Sequence, residues 1–156
     1  MVFVDLMNLY ESMGDLKMNT NVDYSKFANK LTEPHRRLIR CHIYTGAYDQ
    51  RREPDKYAGQ MRFISKVHKM PFVTLKTRPL LYRGGVHMQK GVDTLIATDM
   101  VSMAFLAHYN IAFLVSGDGD LAPAVDAVKA AGKQIIVAAF PRSQEPVSGG
   151  GECCRP

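Results

Sequence analysis

Five short apolar runs, each separated from the next by a stretch that suits a helix, leave this 156-residue chain few ways to fold. The runs are Val2–Asp5, Leu38–Tyr44, Phe72–Leu75, Ile111–Val115 and Gln134–Ala139. Strands that alternate with helices pair in parallel, because each crossover must return the chain to the end at which the previous strand began. The expected architecture is therefore α/β, a three-layer α/β/α sandwich with a mainly parallel, Rossmann-like sheet of about five strands. The length suffices for one sizeable core and not for two, so one domain is expected over residues 1–140. The Pro-, Ser- and Gly-rich stretch at 141–156 has the composition of a disordered tail.

Local signals fill in the connections. The first strand is expected to lead through a loop, Met7 to Met18, towards a helix capped by Asp23 and running through Leu31. Pro54 opens another helix, in which Tyr57, Met61, Ile64 and His68 recur at helical spacing. Arg83-Gly84-Gly85 marks a hairpin-like excursion. The main helix is expected from Val92 to Tyr109, and a last one from Leu121 to Ala131, ended by Gly132.

In open α/β sheets ligands bind outside the carboxyl ends of the strands. The segment Ser116-Gly117-Asp118-Gly119-Asp120 follows the run Ile111–Val115 and so falls at such an end, as does Asp5 after Val2-Phe3-Val4. Asp93 stands at the start of the main helix. Clustered carboxylates repel unless a positive charge sits among them, and a hard divalent cation such as Mg²⁺ or Mn²⁺ fits that need. Some of these residues also have structural uses. Asp120 is placed to cap the helix that follows, and Asp93 favours the positive end of its own. Asp118, with glycine on both sides, is not needed as a second cap, and Asp5 has little structural reason to be acidic. Asn8 suits a supporting amide or a turn. Asp99 falls on the stripe Val92, Leu95, Asp99, Met103 and Leu106, so a buried carboxylate is expected there, supporting the site or the fold, with Ser116 as a conceivable partner.

Charge is unevenly distributed. Residues 51–90 hold ten Lys or Arg against Glu53 and Asp55, a local excess of +8 in a chain of net charge +5. A basic flank beside an acidic pocket suits a polyanion, held by its phosphates while one of them meets the acids. Arg51, Arg52, Arg62, Lys66, Arg83 and Lys90 are the candidate contacts, and Tyr82 is placed to stack on a base. The three cysteines and five histidines show no metal-binding spacing. No Walker sequence or G-x-G-x-x-G follows the first strand, which disfavours an ATPase or a dehydrogenase. With no hydrophobic leader and no membrane-length run, a soluble, cytoplasmic protein is expected.

Asp5-x-x-Asn8, Lys90-Gly91-Val92-Asp93 with the helix through Asp99-Met100, and Ser116-Gly117-Asp118-Gly119-Asp120-Leu121 together resemble the NYN domain family, and within it the LabA-like branch, a relative of PIN-domain nucleases. The resemblance spans about residues 2–140. It implies a PIN-like sheet and an RNA endonuclease using one or two Mg²⁺ or Mn²⁺ ions. Carried onto this chain, it makes Asp5, Asp93, Asp118 and Asp120 the catalytic metal ligands, with Asn8 and Ser116 in support. Pairing of such domains implies a possible homodimer. One departure is that Leu6 and Met7 stand where the family usually has small residues. The expected substrate is single-stranded RNA, hydrolysed without a covalent protein intermediate. The first rival is a PIN-like domain that binds RNA or protein without cutting. A phosphatase with an Asp-x-Asp nucleophile is disfavoured, since the chain reads Asp5-Leu6-Met7.

Overall fold

A computed structural model of the chain describes residues 1–139 apart from 84, 85 and 89; the expected tail lies outside the described residues. Five strands, β1 (Val2–Asp5), β2 (Cys41–Ala47), β3 (Val73–Pro79), β6 (Ile111–Val115) and β7 (Gln134–Ala138), form one sheet. Its order is β3-β2-β1-β6-β7, and every pairing is parallel. The short strands β4 (Leu81–Arg83) and β5 (Val86–Met88) pair antiparallel as the expected hairpin. Five helices connect the sheet: α1 (Leu6–Asp15), α2 (Tyr24–Thr32), α3 (Pro54–Val67), α4 (Val92–Phe105) and α5 (Ala122–Ala130).

Alternate residues of the central strand feed two separate cores. Val2 and Val4 pack with Leu6, Leu9, Met13, Tyr24, Ile43 and Val67, the side covered by α1, α2 and α3. Phe3 faces the other way and packs with Tyr44, Ile96, Met100, Leu114, Leu121 and Val128, under α4 and α5. A strand buried on both faces has no polar side, which is the mark of a parallel sheet in a three-layer sandwich. The fold is the expected α/β one.

Several boundaries differ from the sequence expectation, each for a local reason. Residues 7–15 form helix instead of loop, because Asp5 ends β1 and caps α1 in one step, accepting hydrogen bonds from the amides of Met7 (3.1 Å) and Asn8 (3.2 Å). The structural reason for Asp5 is thus plain. β2 runs from Cys41, not Leu38, and continues through Gly46 to Ala47. On α3 the residue that reaches full burial is Val67, with Phe63 and Met70 beside it, while His68 is exposed. α4 stops at Phe105 rather than Tyr109, since Ala107 takes a left-handed conformation (φ 55°) and the chain turns. Tyr109 then folds back into the core and donates from its hydroxyl to the Met100 carbonyl (2.6 Å). The buried stripe of α4 is Val92, Ile96, Met100 and Ala104, one position removed from the expected one.

Two glycines fit their places closely. Gly91 precedes α4 in a left-handed conformation (φ 85°), which glycine adopts without the Cβ penalty. A Cβ on Gly46 would lie 2.2 Å from the Leu80 side chain, so the start of the hairpin packs directly onto the β2 backbone. Of the five histidines, His42 is buried with neither ring nitrogen hydrogen-bonded, stacked on Phe3 with ring centroids 5.6 Å apart. Burial lowers its pKa to about 4, so it is a neutral packing residue. No helix among the described residues is long and apolar enough to cross a membrane.

Candidate functional site

The chain builds the sheet from β1 outwards through β2 to β3, then crosses back to β6 and continues to β7. The direction of winding therefore reverses between β1 and β6, and in open α/β sheets it is at such a switch point, beyond the carboxyl ends of the strands, that ligands bind. Asp5 lies at the first of these ends, and Ser116 to Asp120 follow the second. Asp93, in the first turn of α4, reaches the same region, since its charge acts on those of Asp5, Asp118 and Asp120.

Each side chain is held by local chemistry. Asp5 is buried, with one oxygen, Oδ1, committed to the first amides of α1. The Asn8 Oδ1 accepts from the Gly117 amide (2.8 Å), which fastens the acidic loop to α1. Ser116 is buried and its Oγ accepts from the Asp118 amide (3.1 Å). Asp118 accepts in turn from the Asp120 amide (2.9 Å) and starts a single 3₁₀ turn, Gly119–Leu121. The cap expected of Asp120 is not made: Asp118 caps the 3₁₀ turn, α5 begins without a side-chain cap, and Asp120 is exposed within the turn.

Burial raises the Asp5 carboxyl to about 6; the amides of α1 oppose this, and the charges of Asp93 and Asp118 add to it. Asp93 is raised as well, first by burial and then by Asp118 and Asp120. Among the described residues none of these four carboxylates has a lysine, arginine or histidine ion-pair partner. Acids without a cationic partner among the described residues suit a cation in chemical type, since carboxylate oxygens are the hard donors that Mg²⁺ and Mn²⁺ prefer. Yet among the described residues no three His, Cys, Asp or Glu side chains stand close enough to hold an ion as they are. The donors fit by type and charge, and their oxygens must draw in to share a cation.

Asp99 belongs elsewhere. Its Oδ2 accepts from the Tyr44 hydroxyl (2.7 Å) and from the Lys76 Nζ (2.5 Å), beneath α4 and away from Ser116, the partner expected from sequence. Tyr44 and Lys76 stand opposite one another on β2 and β3, so the two strands present both donors together. Sequence reasoning missed this pair. The signal was a lysine directly after the third apolar run, matched to an acid in the middle of an apolar helix.

The basic candidates divide into groups. Arg51 and Arg52 are exposed before α3, and the Arg52 guanidinium lies 5.3 Å from the Tyr82 ring centroid on the hairpin. Arg62 and Lys66 line a cavity between α3 and α1. Lys90 is exposed three residues before Asp93, and the Arg83 side chain lies outside the described residues. Of the residues departing from the family pattern, Leu6 is buried in the core and Met7 is exposed.

A wholly parallel sheet between two helical layers, with acids at its switch point, defines a PIN-like α/β/α domain. The chain belongs to the NYN domain family, which it matches over residues 1–149, and that family is one of PIN-like nuclease domains in general. A similar solved structure is the crystal structure of a protein of unknown function from Vibrio parahaemolyticus, 23% identical, with a TM-score of 0.64 over 88% of this chain and 78% of that one. It bears on the fold alone. No curated protein matches the chain.

Proposed function

We propose that this protein is a Mg²⁺- or Mn²⁺-dependent endoribonuclease whose catalytic metal ligands are Asp5, Asp93, Asp118 and Asp120. The observation that carries the reading is electrostatic: burial, and beyond it the charges of neighbouring acids, raise the proton affinity of Asp5 and Asp93 at the switch point, and among the described residues no cationic side chain pairs with either. One or two bound ions would supply that relief, acidify a water and stabilise charge on the attacking and leaving oxygens of a phosphodiester.

The chain's own residues do the rest. Asp5 spends Oδ1 on the α1 amides and keeps Oδ2 to donate. Asn8 and Ser116 fix the backbone from which Asp118 and Asp120 project. The exposed cations Arg51, Arg52 and Lys90 hold the phosphates of single-stranded RNA beside the acids. Since the chemistry is positional and electrostatic, no nucleophilic side chain is required.

The experiment is cleavage of an end-labelled unstructured RNA by wild type, Asp93→Asn and Asp118→Asn, in Mn²⁺ and in EDTA. Cleavage is expected only for wild type in Mn²⁺, and undiminished cleavage by both variants would sink the assignment. A second reading, RNA or protein binding without cutting, is favoured by the spacing of the acids, which do not yet share a site for an ion. Metal-independent RNA binding without cleavage in any divalent ion would establish that reading instead.

A further inference from the structure

On the α1–α2–α3 side of the sheet a cavity of about 260 Å³ opens between α1 and α3. Its walls are Tyr10 from α1, Asn21 from the α1–α2 link, and Gly59, Arg62, Phe63 and Lys66 from α3. Arg62 and Lys66 are one helical turn apart, so both cations can reach a single anion at the mouth. Neither has a carboxylate partner among the described residues, and no acidic residue lines the cavity. The aromatic walls are held from behind: the fully buried Tyr24 donates its hydroxyl to that of Tyr10 (2.9 Å) and meets Phe63 edge-on, with ring centroids 6.1 Å apart.

We propose that this cleft is a binding site for one nucleotide, with the phosphate on Arg62 and Lys66 and the base between Tyr10 and Phe63, near the Asn21 amide. Arginine grips phosphate in a planar fork, and aromatic side chains stack on any base. The volume lies just under the roughly 300 Å³ at which small-molecule pockets begin, so it admits one base and not two. Choosing a nucleotide over other organic anions rests on the nuclease reading above. The site itself is separate from the acids, since Tyr10 stands about 7.5 Å along the α1 axis from Asp5. Gly59 supplies the room. A Cβ there would meet only the Arg62 Nη2, at 3.9 Å, so a larger side chain fills the cleft without disturbing the helix.

The test is calorimetric titration in EDTA of the Asp118→Asn protein with 5′-AMP, with a ten-residue oligoadenylate, with adenosine and with inorganic phosphate. Binding of 5′-AMP, or of the oligonucleotide alone, is expected to weaken about tenfold or more in Arg62→Gln and Lys66→Gln, as loss of a charged hydrogen bond requires. A response to 5′-AMP identifies a free nucleotide as sufficient, and a response to the oligonucleotide alone identifies a unit of a strand. Gly59→Leu is expected to lose binding while its melting temperature stays level or rises, because leucine is the better helix former. Three results would overturn the proposal: no binding by either nucleotide probe, binding indifferent to all three substitutions, or phosphate binding as tightly as 5′-AMP. Because cleavage is measured separately in Mn²⁺, failure here leaves the nuclease reading standing, and the reverse also holds.

Discussion

Two acidic regions meet the same sheet in opposite ways. Asp99 lies under α4 with Lys76 and Tyr44 both donating to one of its oxygens, so its charge is neutralised within the fold. Asp5, Asp93, Asp118 and Asp120 lie around the switch point with no ion-pair partner among the described residues, and no three of them stand close enough to share an ion. A carboxylate paired this fully belongs to the fold, whereas acids without a cationic partner are where a bound cation would act. Structural acids and candidate ligand-binding acids are thus told apart by their partners rather than by their burial, since Asp5 is as buried as Leu6 beside it.

The sharpest way to break this contrast is catalytic. Asp118→Asn and Asp93→Asn should each cut Mn²⁺-dependent RNA cleavage by about two orders of magnitude or more, whereas Asp99→Asn should act chiefly through stability. Thermal melting with and without Mn²⁺ sharpens it further. At roughly 100 times the dissociation constant the ion should stabilise wild type by about 2.7 kcal/mol and the Asp93→Asn, Asp118→Asn double variant hardly at all.

Lys76→Met tests the paired side, leaving Asp99 charged with only Tyr44 as partner; a loss of about 3 kcal/mol in urea unfolding is expected. The pH dependence tests the unpaired side. The folded state holds the Asp5 proton with a pKa of about 6, above the ordinary carboxylate value, so protonation favours folding. Stability without metal should therefore fall as pH rises from about 4 to 6, by up to about 3 kcal/mol from this group, and then level off. Asp5→Asn should remove that slope and be the more stable protein at pH 7.5. The smallest effect is expected for Tyr44→Phe, about 1.5 kcal/mol, since Lys76 remains to hold Asp99.

Much of the architecture was legible because β1, β6 and β7 are unbroken apolar runs, flanked by helix caps such as Asp23 and by the Gly132 stop. The second strand was displaced by three residues because the alternation read from Leu38 to Tyr44 does not mark its ends: the strand is buried on both faces and runs from Cys41 to Ala47. α1 was hidden because its cap, Asp5, also reads as a strand terminus, although Leu6, Leu9 and Met13 carry the helical period. In the candidate site, Asp5 and Asp118 were legible as strand-end acids and Asp93 as a helix-start acid, but spacing along the chain could not show that no three of these acids stand close enough to share an ion. The partners of Asp99 were not, because they depend on the register that sets Tyr44 against Lys76.

The bond from the Gly117 amide to Asn8 has a consequence for local motion. It joins segments 109 positions apart in the chain, so fraying of the first turn of α1 and release of the acidic loop become a single cooperative opening event. The amide at Gly117 would then serve as a reporter for the acidic loop, exchanging with solvent at the rate at which that end of the protein comes undone.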